Sequence, residues 1–283
     1  MTENGLTTLL DSGKYYEAPR WHDGRLWFVD CLARTLQSID PSGECREHAT
    51  FDDDTPCGTG VLPDGRLVIL TMFRKRLFVF AESKLVPYAD LSRVAAGVID
   101  DMIVDGRGRA YVGDLGFKLP PPPDRGADGR IILVMPDGSA RIVAEGLRFP
   151  NGIAISADHR RLVVSEMDGG CVADYEIAPD GDLKFLRRLP CGREPDGICL
   201  DSEDAVWVAA YAEDAFIRID ATGKEVQRIR VPGRRAIACA LGGAGQRTLF
   251  CLSAATSHED LGRGKSSARI DAITVETPGA GYP

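Results

Sequence analysis

The sequence predicts an all-β protein, a six-bladed β-propeller whose ring is closed by the N-terminal strand joining the last blade. Three observations predict it. A segment recurs six times along the chain, each recurrence carries hairpin-turn chemistry, and one strand-like stretch is left over at the N-terminus. The recurrences begin at Ala18, Gly60, Met102, Gly152, Gly197 and Cys239, at spacings of 42, 42, 50, 45 and 42 residues. Periods of about 40–50 residues with roughly four strands each are the mark of propeller blades.

Each recurrence reads as a short apolar strand, a polar turn and a longer apolar strand. The first is "APRWHDGRLWFVD" and the second "GVLPDGRLVILT". "MIVDGRGRAYVGD", "GIAISADHRRLVVSE", "GICLDSEDAVWVAA" and "CALGGAGQRTLFCLS" follow. Most continue into a further strand with its own turn, as in "TLQSIDPSGE" and "FIRIDATGKE". Asp-Gly after a short strand suits a tight hairpin, because both central positions need positive φ. No window carries a convincing helical period. "GLTTLLDSG" at 5–13 has no hairpin partner nearby, whereas the last recurrence ends in "ARIDAITVE" at 268–276. Pairing these two removes the unpaired edge of the ring. With no linker to divide it, the chain is expected to form one domain over 1–283.

Composition narrows the function classes. Hydrophobic content of 44% and charged content of 27% are ordinary for a soluble globular protein. A net charge of -8 with no basic patch argues against nucleic acid; the cluster "FRKRL" at 73–77 reads as a solvated strand face. No stretch approaches ~18 apolar residues, so no membrane span is expected. Met1–Asn4 open no apolar signal segment. The eight cysteines are scattered and form no C-x-x-C. Buried thiols in a reducing cytoplasm are therefore expected.

The residue before each recurrence is Glu17, Thr59, Asp101, Asn151, Asp196 and Ala238. In a propeller the first strand of each blade lines the central channel, so this slot converges on one mouth. Asp196 of "EPDGICLD" then belongs to the channel and not to a turn, since a second turn signal, "DSED", follows it. Carboxylates gathered at one point repel unless a cation sits among them. Oxygen-only ligands favour Ca²⁺, Mg²⁺ or Mn²⁺, and Zn²⁺ also accepts carboxylates.

The chain resembles the SMP-30/gluconolactonase/LRE family, which includes regucalcin and sugar lactonases. The resemblance is carried by "YYEAPRW", "DDMIVDGRGRAYVGD", "FPNGIAIS", "PDGICLD", "LGGAGQRTLF" and "VETPGAGYP", and covers nearly the whole chain. It implies one divalent cation in the channel, held by Glu17, Asn151 and Asp196, with Asp196 also the usual catalytic base. At Asp100-Asp101 this chain departs from the family, which usually has Asn-Asp there. An Arg that many sugar lactonases place just upstream is missing from "AAGVI" at 95–99.

The expected function is hydrolysis of a small-molecule lactone at that cation. Asp100 is a second candidate base and, with Asp101, Phe117 and Phe149, a candidate substrate contact. Because an ionised Asp only accepts hydrogen bonds where Asn also donates, hydroxyl-rich aldonolactones are expected to be poor substrates. A non-catalytic metal- or ligand-binding propeller is the alternative, as is a related esterase, phosphotriesterase, isomerase or lyase. A Ser-His-Asp mechanism lacks support: there are four His and no G-x-S-x-G. His258 sits in a long loop of the sixth blade with the prospect of overhanging a channel mouth. "FKLPPPPDRGADGR" at 117–130 reads equally as a surface loop or as a lid on a stiff polyproline spacer.

Overall fold

The computed structural model describes residues 5–282 apart from 123 and 125. The leftover N-terminal strand is β1 (Thr7–Gly13). Blade one follows as β2 (Tyr16–His22), β3 (Arg25–Asp30), β4 (Thr35–Ile39) and β5 (Cys45–Thr50). Blade two is β6 (Pro56–Val61), β7 (Leu67–Thr71), β8 (Arg76–Ala81) and β9 (Lys84–Asp90). Blade three is β10 (Ile99–Val104), β11 (Ala110–Asp114), β12 (Gly129–Val134) and β13 (Ala140–Leu147). Blade four is β14 (Pro150–Ile155), β15 (Arg161–Glu166), β16 (Cys171–Ile177) and β17 (Leu183–Pro190). Blade five is β18 (Pro195–Leu200), β19 (Val206–Ala210), β20 (Ala215–Ile219) and β21 (Glu225–Arg230). Blade six is β22 (Arg235–Gly242), β23 (Thr248–Ala255) and β24 (Ser267–Thr274), and its fourth strand is β1.

Six antiparallel four-stranded sheets thus form a six-bladed propeller, as the repeat period predicts. β1 pairs with β24, Thr7 opposite Ala272 and Thr8 opposite Asp271, and so closes the ring. Burial falls from the axis outward. β6 and β14 are buried at every position, whereas β5 and β21 are largely exposed. The core lies between blades: one cluster joins Val68, Leu70 and Leu77 of blade two to Met102, Val112 and Ile132 of blade three. Another joins Val163 and Val172 of blade four to Ile198, Val208 and Ile217 of blade five.

A buried carboxylate–arginine pair braces several blades. Asp105 accepts from Arg109 (2.7 Å), Asp201 from Arg218 (2.6 Å), Asp271 from Arg269 (2.8 Å), and Asp174 from both Arg161 (2.6 Å) and Arg187 (3.0 Å). One departure from the all-strand expectation is a short helix, α1 (His258–Gly262), capped by Ser257 accepting from the Asp260 N–H. No helix among the described residues is long and apolar enough to cross a membrane. All eight cysteines are free thiols, and Cys45 alone is exposed.

Candidate metal and substrate site

In blades one, three and four the chain enters the inner strand through a loop held by a buried carboxylate at the end of the second strand. Asp30 accepts from the backbone N–H groups of Lys14 (2.7 Å), Tyr15 (3.1 Å) and Ala33 (2.9 Å). Asp114 accepts from Ala96 (2.8 Å), Gly97 (2.8 Å) and Gly116 (3.0 Å). Glu166 accepts from the Arg148 N–H (2.7 Å) and from Arg188 (2.6 Å). These contacts fix the backbone just ahead of Glu17, Asp100 and Asn151.

In blades three, four and five the register is the same. Ile99 faces Asp114 and Met102 faces Val112; Pro150 faces Glu166 and Ile153 faces Val164; Pro195 faces Ala210 and Ile198 faces Val208. Each inner strand bulges by one residue between those pairs. Asp100, Asn151 and Asp196 are therefore the equivalent positions, and Asp101 corresponds to Gly152 and Gly197. This corrects the sequence slot, which put Asp101 beside Asn151 and Asp196. The turns show the same shift: Asp105, Ser156 and Asp201 each donate a backbone N–H across their hairpins, to Arg109, Arg161 and Ala205. In blade two, Thr59 of the sequence slot is spent on structure, its hydroxyl donating to the Ala18 carbonyl at 2.6 Å.

The carboxyls of Glu17, Asp100 and Asp196 gather at one mouth of the channel. Glu17 is pushed well above the ordinary carboxylate range by burial, then by Asp196 and Asp100. Asp196 is likewise raised by burial, then by Asp100 and Asp101, and the neighbouring Asn151 amide partly offsets this. Asp100 is pushed up to about 7 by burial and by Asp101. Glu17 accepts one hydrogen bond, from the Ala18 N–H at 3.0 Å, where Ala18 takes a positive φ of 50°. Asp196 is 2% exposed, yet its Oδ1 is buried without a hydrogen-bond partner. The Asn151 amide nitrogen points to the Met167 sulfur at 3.8 Å.

Asp101 has a different environment. Its carboxylate accepts from Arg20 Nη2 (3.1 Å) and from the backbone N–H groups of Met102 (2.8 Å) and Ile153 (3.0 Å). Arg20 also donates to the carbonyls of Met102 (2.6 Å) and Pro19 (2.9 Å). The pair joins blades one, three and four beneath the cluster and holds Asp101 in place. The Arg absent from "AAGVI" thus has no counterpart upstream of Asp100; the channel's buried Arg comes from blade one and serves Asp101.

The walls are aromatic. Tyr15 stands beside Asp196 and Glu17, which, after burial, raise its phenol. Tyr211 is 2% exposed and its hydroxyl is buried without a partner. Burial and then Asp196 push Tyr211 up to about 12. His258 does overhang this side: its ring stacks on Tyr211 with centroids 4.8 Å apart, and its Nε2 lies 3.2 Å from Glu194. Phe117 and Phe149 meet edge to face at 5.4 Å, and Phe149 also packs with the cluster that contains Met167 and Tyr211. Phe117 is thereby anchored at the start of segment 117–130. Its residues 118–122 are exposed, while Pro123 of the polyproline run and Arg125 lie outside the described residues. Tyr15, Tyr211 and Arg20 were not singled out from the sequence.

No group of three His, Cys, Asp or Glu side chains among the described residues is gathered tightly enough to hold a metal ion by itself. The set at this mouth is of another kind, two carboxylates and an amide, with Asp100 beside them. Its chemistry fits a hard divalent cation. Half-buried Glu17 and Asp100 crowd the buried Asp196, the buried arginine is committed to Asp101, and Asp196 Oδ1 is left unpaired.

Comparison with known proteins agrees with this architecture. The chain belongs to the SMP-30/Gluconolactonase/LRE-like region family, which it matches over residues 16–255. It is 26% identical to pentonolactonase XacC of Haloferax volcanii over 263 residues, covering 88% of this chain and 85% of that protein. Among solved structures it superposes on a luciferin-regenerating enzyme with a TM-score of 0.79 at 18% identity, covering 97% and 96% of the two chains. It superposes on the calcium-binding protein regucalcin of Agrobacterium tumefaciens with a TM-score of 0.73 at 19% identity, covering 96% of each.

Proposed function

We propose that the protein is a metal-dependent lactonase, with Glu17, Asn151 and Asp196 holding one divalent cation and Asp100 serving as general base. The observation that carries the reading is the buried, unpartnered Asp196 Oδ1 beside Glu17 and Asp100, all three carboxyls being pushed upward by burial and by neighbouring carboxylates. Family membership and the lactonase relative support the reaction class; the calcium-binding relative supports a hard cation. When bound, the cation supplies Lewis-acid polarisation of the ester carbonyl. The chain's own groups do the rest. Asp100 is the carboxyl with neither a ligand's position in the family pattern nor an arginine partner, and beside a cation that favours its ionised form it is able to accept a proton from water. In this reading the Tyr211 hydroxyl, buried near Asp196 without a partner, donates to a substrate oxygen, and Phe117 and Phe149 form an apolar wall. Asp101 acts through position, holding the floor of the site with Arg20.

That wall, together with Asp instead of Asn at 100, favours a lactone with few hydroxyls over an aldonolactone. The test is turnover of a lactone panel, from γ-butyrolactones with alkyl substituents to gluconolactone, with Ca²⁺, Mg²⁺, Mn²⁺ or Zn²⁺ added to chelator-treated protein. Preferential hydrolysis of the less polar lactones is expected. Efficient gluconolactone turnover, unchanged in Asp100→Asn, sinks the substrate argument. Metal binding without turnover of any lactone sinks the enzyme reading in favour of a binding protein.

Cation binding is also expected to depend on pH in a defined direction. A carboxyl raised in the folded state favours folding below its unfolded pKa, near 4, and loses that contribution as pH climbs through its folded value. For Asp100 the window runs from about 4 to about 7. The metal-free protein should therefore lose stability across that window, and a cation should restore it by favouring the ionised forms. The shift in melting temperature on adding metal should be larger at pH 8 than at pH 5.5. Equal shifts at both pH values would rule out coupling between these carboxyls and the cation.

A further inference from the structure

We propose that Cys199 and Cys239 are a peroxide-modification site, converted to a disulfide that ties the inner strands of blades five and six together. Their sulfurs are 3.7 Å apart, Cys199 on β18 and Cys239 on β22. The two strands touch at backbone level nearby, since a Cβ added at Gly197 would meet the Ala238 Cα at 2.6 Å. Closing the sulfurs to about 2.05 Å therefore asks for a short side-chain movement and no separation of strands that are already in contact. Both thiols line a cavity of about 40 Å³ at the end of the channel away from the carboxyl cluster.

The C-terminal tail covers part of that cavity. The Ser202 N–H donates to the Pro278 carbonyl (2.9 Å) and the Gly279 N–H to the Gln246 carbonyl (2.8 Å), and Tyr282 lines the cavity from the tail side. Its size admits a water-sized molecule and little else. Hydrogen peroxide is of that size and uncharged, whereas a protein or peptide disulfide is excluded. Cys199 is half-buried and Cys239 nearly wholly buried, so Cys199 is the sulfur met first.

The chemistry runs in two steps. The Cys199 thiolate attacks one peroxide oxygen, the O–O bond breaks, and the displaced hydroxide takes up a proton to leave as water, giving a sulfenic acid. Cys239 sulfur then attacks Cys199 sulfur, the S–O bond breaks, and the thiol proton leaves with the hydroxyl as a second water. Two thiols are oxidised to one disulfide while one peroxide is reduced to two waters. Burial, followed by Cys239 itself, raises the Cys199 pKa. Little thiolate is present at neutral pH, so the modification is slow, a record of sustained peroxide exposure and not a rapid sensor. It fastens β18, which carries Asp196 three residues before Cys199, to the blade that closes the ring.

The test uses full-length Cys45→Ser protein, which removes the one exposed thiol, treated with hydrogen peroxide, then denatured and alkylated. Two of the seven remaining thiols should become unreactive, with a mass loss of two hydrogens and a proteolytic fragment joining Cys199 to Cys239. Adding Cys199→Ser should restore alkylation of all the thiols left. Seven reactive thiols after prolonged oxidation would overturn the proposal. So would a bridge to Cys251, which faces Cys239 in the β22–β23 register, or oxidation that stops at sulfinic acid on unlinked cysteines.

Discussion

Asp196→Asn is expected to abolish nearly all lactone turnover while making the metal-free protein more resistant to heat. The two effects have one cause. Asp196 is buried, its Oδ1 has no partner, and burial with Asp100 and Asp101 raises its carboxyl well above the usual range. Without a cation the charged form is a cost of folding, which Asn removes at nearly the same volume. The sign follows from linkage: a raised carboxyl costs stability as pH rises through its folded value, so the gain from Asn should grow from pH 5 to pH 8. With a cation the same charge is what holds it. Losing Lewis-acid stabilisation worth several kcal/mol corresponds to a rate loss on the order of 10³-fold. Thermal melts with and without metal, alongside turnover, read both effects. A variant that melts lower than the parent without metal, or keeps its activity within about tenfold, would remove Asp196 from the centre of the site.

The blades were legible because their signal is repeated. Six recurrences near one period, each with a polar turn after its first strand, fix both the number of blades and the strands within them. The ring closure was legible for the complementary reason, that β1 had no local partner. Site residues were legible only where they repeat. Asn151 and Asp196 precede Gly-Ile in the same way, and Glu17 precedes the first recurrence.

Blade three broke the pattern because Asp101 stands where blades four and five have Gly152 and Gly197. Aligning Met102 with those glycines moved the slot by one, from Asp100 to Asp101. Counting back from the turn residues Asp105, Ser156 and Asp201 gives the right register, and that signal was present in the sequence. Tyr211 carried none. It follows an apolar strand and reads as core, and its proximity to Asp196 arises from the way the chain crosses the rim after β19. Arg20 was equally silent, since an arginine in "APRWH" reads as strand polarity until Asp101, 81 residues away, is found against it. Cys199 and Cys239 lie 40 residues apart, close to one repeat, so their meeting on adjacent inner strands was available to anyone comparing blades at that offset.

Arg20→Met is expected to be among the most destabilising single changes in the protein. Arg20 and Asp101 form an ion pair at 3.1 Å with both side chains more than nine-tenths buried. Removing one member leaves the other charge buried and uncompensated, which costs about 3–5 kcal/mol. Arg20 also satisfies the Met102 and Pro19 carbonyls, so those acceptors are left unmatched too. For a chain of this length such a loss lowers the melting temperature by roughly 10 °C. Asp101 is already raised by burial, with Arg20 the largest opposing influence. Without Arg20 its carboxyl is expected to take up a proton, so the loss should be greater at pH 8 than at pH 5. The double variant Arg20→Met, Asp101→Asn removes both charges and should recover part of the stability, leaving a positive coupling energy in a double-mutant cycle. The same cycle read by metal-induced melting shifts separates support from ligation. If Asp101 only holds the floor of the site, the double variant still binds the cation. If Asp101 is itself a ligand, cation binding disappears in every variant that lacks its carboxylate.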